Sequence, residues 1–364
     1  MQELDIQDLI KKFEAGTCTE EELNRLENWY LQWKPEALEA NTERMEMLMA
    51  AAWKQMPVHA QAMPVRRSLW PKYAAAIALF LILGIGISYF LHQGASRSVY
   101  VNDVRPGHQG ATLKLANGEV IELNGAKSGV VIGPAALRYD DGTAVSEIGA
   151  KPEGTELIAT TAKGETYIIT LPDGTRVWMN AATVLSFPSV FKGSSRRVSL
   201  QGEAYFEVAK DKAHPFLLNT EAQELTVLGT HFNVNGYPED SRVTTTLLEG
   251  SVKITSAAAQ EVLLRPGQQS SLDAKGMRVT PADTEEAIAW KNGYFRFNDL
   301  KIKEVMQRLA RWYDIEVIYE TGLTAEGFNG TISRFTTIND VLKMLEKTKT
   351  VHFKVEGRRV TVMQ

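Results

Sequence analysis

Residues 73–91, YAAAIALFLILGIGISYFL, run for 19 residues without a charged side chain. At about 1.5 Å per residue, a helix of this length spans roughly 28 Å, close to a hydrocarbon core of about 30 Å. Tyr73 and Tyr89 lie near its ends and Trp70 just outside, where aromatic rings meet the headgroups. A buried core helix is the plainer reading, but such helices are rarely charge-free over this length. A secretory signal would begin within about 30 residues of the start, and here 72 residues come first. The run therefore predicts a single transmembrane helix. Arg66, Arg67 and Lys72 precede it closely, whereas Arg97 and Arg105 follow at a greater distance. The positive-inside rule then puts the N-terminus in the cytoplasm and everything after residue 91 outside the cytoplasmic membrane. The one cysteine, Cys18, falls on the reducing side. A lone cysteine excludes a disulfide framework and a cysteine-rich zinc site.

Residues 1–57 read as a small all-α head of three helices. Ile6, Leu9, Ile10 and Phe13 share one helical face, and Gly16 ends it. Thr19 followed by Glu22 forms a capping-box pattern for a second helix. That helix carries a stripe of Leu23, Leu26, Tyr30 and Trp33, with Trp29 on its flank. Pro35 suits the start of a third helix, faced by Leu38, Met45, Met49, Ala52 and Met56. Such stripes ordinarily bury one another. A head this small makes a thin core, and its tryptophans and methionines exceed what three short helices cover, so a protein-binding surface is the sharper reading. A linker over 58–72 follows, entered at Pro57 and carrying Pro64 and Pro71.

Residues 100–280 alternate strand-like segments with Gly and Asp turns and predict an all-β domain. Residues 111–124, ATLKLANGEVIELN, and 167–180, YIITLPDGTRVWMN, match at Leu115/Leu171, Gly118/Gly174 and Asn124/Asn180. Each copy is a strand, a tight Asx-Gly turn and a second strand. LQGEAYFEV (200–208) and LLEGSVKI (247–254) are looser relatives. Repeated hairpins imply a sandwich or a solenoid-like stack, and periodicity does not choose between them.

Enzymatic and metal chemistry are not indicated. The chain has no HExxH, GxSxG or Walker A sequence. His108, His214 and His231 lack ligand spacing. Glu203 and Glu207 could form an acid/base pair, but in GEAYFEV they alternate with Ala204, Phe206 and Val208, which expects them on the solvent face of a strand. Acidic and basic residues number 44 and 40, so bulk charge does not attract nucleic acid. No cofactor is expected.

Residues 290–364 repeat a strand–helix–strand pattern. Ile302, Glu304, Val305 and Leu309 recur 36 residues later as Ile338, Asp340, Val341 and Leu345. Ile315 and Val317 recur as Val351 and Phe353. This predicts a C-terminal α/β module of duplicated βαβ units. Exposed sheet edges in such a module are docking sites for another strand, and the expected edges lie near 328–332 and 360–363. Neither helix starts with a glycine-rich loop, so phosphate binding is not indicated.

With this layout in view, the chain resembles the FecR family of membrane-bound anti-sigma factors, in a long form with an extra C-terminal domain. The resemblance rests on LPDGTRVWMNAATVLSFP (171–188), RRVSLQGEAYFEVAKDKAHPF (196–216), VLGTHFNVNGY (227–237), TTLLEGSVKI (245–254) and LRPGQQSSL (264–272). WKNGYFRFNDLKIKEVMQRLARWYDIEV (290–317) resembles the family's terminal module, which is similar to the short N-terminal signalling domains of secretins and TonB-dependent receptors. The resemblance implies that the head binds an extracytoplasmic-function sigma factor. It further implies that the periplasmic part meets the signalling domain of an outer-membrane TonB-dependent transducer, and that stepwise proteolysis ending within the membrane frees the head.

On this reading the expected sigma contacts are Leu23, Leu26, Trp29 and Trp33. The intramembrane cut falls near Gly84 and Gly86, and the transducer meets Phe328, Thr331, Val360 and Val362. The alternative is a single-pass envelope protein whose β domain binds a glycan or peptide. The aromatic-rich head argues against a merely passive anchor.

Overall fold

The computed structural model describes residues 103–133, 136–146, 155–323 and 325–364, together with Lys12, Thr19 and Glu22 of the N-terminal part. The apolar run 73–91 and the expected head contacts lie outside the described residues. Among the described residues no helix is long and apolar enough to cross a membrane. Lys12 and Glu22 are helical. The expected capping box is present: the Thr19 N–H donates to Glu22 Oε2 (3.0 Å) and the Glu22 N–H to Thr19 Oγ1 (3.4 Å). A hydrogen bond from Lys12 brings the Glu22 carboxyl down to about 2.

The strands run in chain order as β1 (His108–Gln109), β2 (Ala111–Lys114), β3 (Val120–Leu123), β4 (Gly129–Ile132), β5 (Leu137–Tyr139), β6 (Ala144–Ser146), β7 (Glu156–Thr161), β8 (Glu165–Thr170), β9 (Arg176–Met179) and β10 (Thr183–Pro188). There follow β11 (Arg196–Glu207), β12 (Phe216–Asn219), β13 (Gln223–Val227), β14 (His231–Gly236), β15 (Arg242–Glu249), β16 (Val252–Ser256), β17 (Glu261–Leu264), β18 (Gln268–Asp273) and β19 (Gly276–Pro281). They form two sheets. The first has the order β3-β2-β7-β10-β11-β12-β13-β16-β17. The second runs β19-β18-β15-β14-β11-β9-β8-β4-β5-β6, with β1 also alongside β8.

Of the two expected architectures this is the sandwich. The chain lays successive hairpins on alternate sheets: β12-β13 on the first, β14-β15 on the second, β16-β17 on the first, β18-β19 on the second. That winding is why the sequence reads as a stack of repeats. One core lies between the sheets, joining Leu185, Leu218 and Ile254 of the first to Ile169, Val177 and Phe232 of the second.

Turn chemistry sets the hairpins. The Gly118 N–H donates to Leu115 O (2.9 Å) and the Leu115 N–H to Glu119 O (2.8 Å), while Asn117 Oδ1 accepts the Glu119 N–H. Leu171, Asp173, Gly174 and Thr175 repeat the same bonds. This is a type I turn closed by a glycine at positive φ, which only glycine adopts without strain. A third copy, Tyr139–Thr143, has the same bonds around Asp141 and Gly142. Asp173 has a second role: its Oδ2 accepts from Arg196 Nη1 (2.6 Å), a buried guanidinium that also donates to the carbonyls of Ala209 and His214. The turn is thereby fastened to the start of β11.

β11 belongs to both sheets. Residues 196–201 pair with β10 and β12, and residues 202–207 pair with β9 and β14. The crossing is at Gly202, whose φ is +109°.

The C-terminal part begins with a short helix α1 (Thr284–Ile288) capped by Asp283. It continues through β20 (Tyr294–Lys301), α2 (Ile302–Tyr313), β21 (Glu316–Tyr319), β22 (Gly327–Ser333), α3 (Ile338–Glu346), β23 (His352–Glu356) and β24 (Arg359–Met363). The strand–helix–strand pattern occurs twice, as β20-α2-β21 and β22-α3-β23. The repeated positions Ile302/Ile338, Val305/Val341 and Leu309/Leu345 are all buried in one core. The halves interlock: β20 pairs with β22, and β24 lies between β21 and β23. Of the two expected edges, β22 is one, since it pairs only with β20 among the described strands. The stretch 360–363 is not: β24 is the central strand of its sheet, because the last strand inserts between the two halves instead of flanking them.

Candidate functional site

Along β11, residues 196–201 alternate strictly between buried and exposed, but every residue from 202 to 206 is buried. Alternation stops where the outer face of the second sheet receives the C-terminal part. Glu203, expected on the solvent face, is a correction: it is only 9% exposed. Glu203 Oε2 accepts from Asn180 Nδ2 (2.7 Å) and Oε1 from Asn233 Nδ2 (3.0 Å). Glu207 is half-buried, with Arg176 3.8 Å away.

Each asparagine hands the contact on to the C-terminal part. Asn180 Oδ1 accepts from Arg334 Nη2 (2.9 Å), and Asn233 Oδ1 accepts from Trp290 Nε1 (3.1 Å). Arg334 also donates to Trp290 O (2.9 Å), and its guanidinium lies 3.8 Å from the Trp312 ring centroid. Trp312 Nε1 in turn donates to Arg334 O (2.8 Å). Burial pulls the Arg334 guanidinium down to about 10, still charged at neutral pH. Two amides thus connect a buried carboxylate to a buried arginine and an indole. Buried groups of this kind are tolerated when they are hydrogen-bonded to one another in this way.

Beside this network Arg311 stacks on Tyr237, 3.8 Å from the ring centroid, and donates to Asp240 and Glu239 at 3.0 Å. Tyr237 donates its hydroxyl to Ala181 O (2.7 Å), and burial raises its pKa far above the ordinary phenol value. Lys291 lies over the rings of Trp178 and Tyr205, 4.4 and 4.9 Å from their centroids. Burial pushes the Tyr205 hydroxyl up to about 12. Two cavities flank the junction. One of about 350 Å³ is polar, with Asn235, Thr244, Gln269 and Arg308 in its wall. The other, about 320 Å³, is walled by Trp178, Trp290, Trp312 and Phe335. The chemistry here is that of an interface: charge-assisted hydrogen bonds and cations over rings.

His108, His214 and His231 each meet one carboxylate. His214 Nδ1 is 2.8 Å from Asp211, His231 Nδ1 is 3.4 Å from Glu249, and His108 Nε2 is 3.8 Å from Glu165. Leu23, Leu26, Trp29, Trp33, Gly84 and Gly86 lie outside the described residues. Phe328 is buried and Thr331 exposed on β22, whereas Val360 and Val362 are fully buried on β24. Sequence reasoning missed the junction itself. Asn180, Asn233 and Trp290 all lie in stretches that carry the family resemblance, and that was the available signal. Arg334 follows a strand with no periodic mark.

Two family models match the chain: one described as FecR protein over residues 158–253, and one described as FecR, C-terminal, over residues 294–362. They cover both sides of the junction. Two crystal structures of a proposed anti-sigma factor from Parabacteroides distasonis, at 2.50 and 1.65 Å resolution, are similar to it. They share 27% and 28% identity with TM-scores of 0.55 and 0.54, covering 57% of this chain and 99% and 98% of theirs. No curated protein matches the chain.

Proposed function

The chain belongs to the FecR family, and from that premise we propose that it is a membrane-bound anti-sigma factor and not an enzyme. It crosses the cytoplasmic membrane once through residues 73–91, with the head in the cytoplasm and residues 100–364 in the periplasm. The head holds an extracytoplasmic-function sigma factor through Leu23, Leu26, Trp29 and Trp33. The periplasmic part meets the signalling domain of a TonB-dependent transducer. Stepwise cleavage, ending near Gly84 and Gly86, then releases the head. The observation that carries this reading is the pair of FecR-family matches in one chain after a charge-free run, together with structural neighbours described as anti-sigma factors.

The test uses the full chain, tagged and extracted from membranes. It should co-purify with a sigma factor, and Trp29→Ala should weaken capture about 30-fold, the equivalent of about 2 kcal/mol for an aromatic anchor. Circular dichroism should be unchanged, and the same cells report release of the head by fractionation. A membrane-embedded chain that captures no sigma factor would sink the reading. A loss of helicity in Trp29→Ala would return that ring to the core.

For the transducer contact, β22 is the favoured edge. It has a single neighbour among the described strands and exposes Asn329, Gly330 and Thr331. An added strand would hydrogen-bond to its open side. Thr331→Pro, in a chain that keeps its circular dichroism, should bind the transducer's signalling domain at least about tenfold more weakly by calorimetry, through loss of a backbone donor. Equal affinity would move the contact to another face.

A further inference from the structure

Residues 92–102 follow the apolar run, and the chain after them does not go directly into the sandwich. Residues 103–107 first cross the C-terminal part. Asp103 Oδ1 accepts the N–H of Asn339 (3.3 Å), and Val104 O accepts the N–H of Ile338 (3.1 Å). Both donors lie in the first turn of α3, whose N–H groups have no partner within the helix. The helix's own N-cap residue, Thr337, makes no side-chain cap bond; its hydroxyl is turned to Asp340 instead. The cap of α3 therefore comes from Asp103, and its carboxylate sits at the positive end of the helix dipole.

The side chains agree. Val104 is 9% exposed and belongs to the C-terminal core with Ile338 and Val341. Gly107 passes so close to Trp312 that a Cβ there would lie 2.7 Å from the ring and 2.3 Å from Gly164 O. The His108 N–H donates to Gly164 O (2.7 Å), and the Gly164 N–H donates to Arg311 O (2.8 Å). The strap is held at Asp103, Val104 and Gly107 before it enters β1.

We propose that the C-terminal module is a clamp on residues 103–107 of its own chain, and that loosening the module exposes this strap to endoproteolysis. The cut is a hydrolysis: water adds across a strap peptide bond, leaving a new carboxylate and a new amine. The regulatory meaning rests on the function proposed above, but the clamp does not. A partner that distorts α3 or displaces Trp312 removes the cap, the pocket for Val104 and the wall against Gly107 together. Residues 103–107, the first described segment after the apolar run, then become an extended, accessible chain, the preferred form for nicking.

The test is limited proteolysis of the full chain in detergent with a broad-specificity protease, the fragments being identified by mass spectrometry. Val104→Ser empties the pocket, and Gly107→Ala drives a methyl into backbone and ring. Each should be cut within 103–107 at least about tenfold faster than the parent, the range expected when a local opening becomes easier. Both variants should melt lower, because each disturbs buried packing, so digestion is run well below every melting temperature, where cleavage elsewhere should stay at the parental rate. Parental rates in both variants would overturn the clamp. Should either variant unfold the module, Asp103→Ala decides, since it leaves Val104 and Gly107 seated. Faster hydrogen exchange at the Asn339 amide with unchanged melting supports the clamp, and unchanged exchange overturns it. Sigma capture is not read in this assay, so failure of the clamp and failure of the sigma reading are separately visible.

Discussion

Replacing Arg334 by Ala should destabilise the chain by about 3–5 kcal/mol, the usual cost of removing one partner from a buried charged network. Arg334 is 3% exposed, and its removal takes away the donor to Asn180 Oδ1, the donor to Trp290 O and the cation over Trp312. Glu203 would keep its two amide donors but lose the nearby positive charge that offsets its burial. Urea unfolding followed by tryptophan fluorescence reads this directly, because Trp290 and Trp312 line the junction. Arg334→Lys should fall in between, since a lysine keeps the charge but lacks the planar fork and the ring stacking. A loss below about 1 kcal/mol in the Ala variant would place the junction's stability in its apolar contacts alone.

Gly202→Ala should cost about 3 kcal/mol or more, through two additive causes. The backbone there has φ +109°, a region that side chains rarely adopt, worth about 1–3 kcal/mol. The new Cβ would also lie 2.6 Å from Thr183 Oγ1 and 2.8 Å from Thr183 Cα, and overpacking of this kind costs about 1–3 kcal/mol. For a domain of this size the melting temperature should fall by about 6–12 °C. Gly174→Ala is the matched comparison. Its φ is +84°, yet no atom lies within 4 Å of the would-be Cβ, so only the backbone strain of about 1–2 kcal/mol should appear. Equal losses at the two positions would mean that the crossing of β11 between sheets does not depend on close packing against β10.

Several features were legible in the chain itself, because their causes are local. The Asx-Gly turns at 115–119 and 171–175 follow from a side-chain acceptor two residues before an N–H and from a glycine at positive φ. The third, at 139–143, was equally open to reading in DDGT. The buried faces of α2 and α3 follow from helical spacing, and the 36-residue repeat appears as two β-α-β units in one core. The capping box of Thr19 and Glu22 is likewise a matter of four adjacent residues.

What the sequence could not determine depends on segments distant along the chain. Alternation in GEAYFEV correctly separates Ala204 and Phe206, which face the sandwich core, from Glu203 and Tyr205, which do not. It says nothing of what covers the second face. That is decided by Trp290 and Lys291, which bring an indole and an ammonium onto it. The central place of β24 is a matter of strand order, set by which edge remains open when the last strand arrives. The cap of α3 comes from Asp103, far away in the chain, because a helix N-terminus needs an acceptor but does not require that it be local. Periodicity and turn chemistry decide which way a side chain points; only the tertiary structure decides what it meets there.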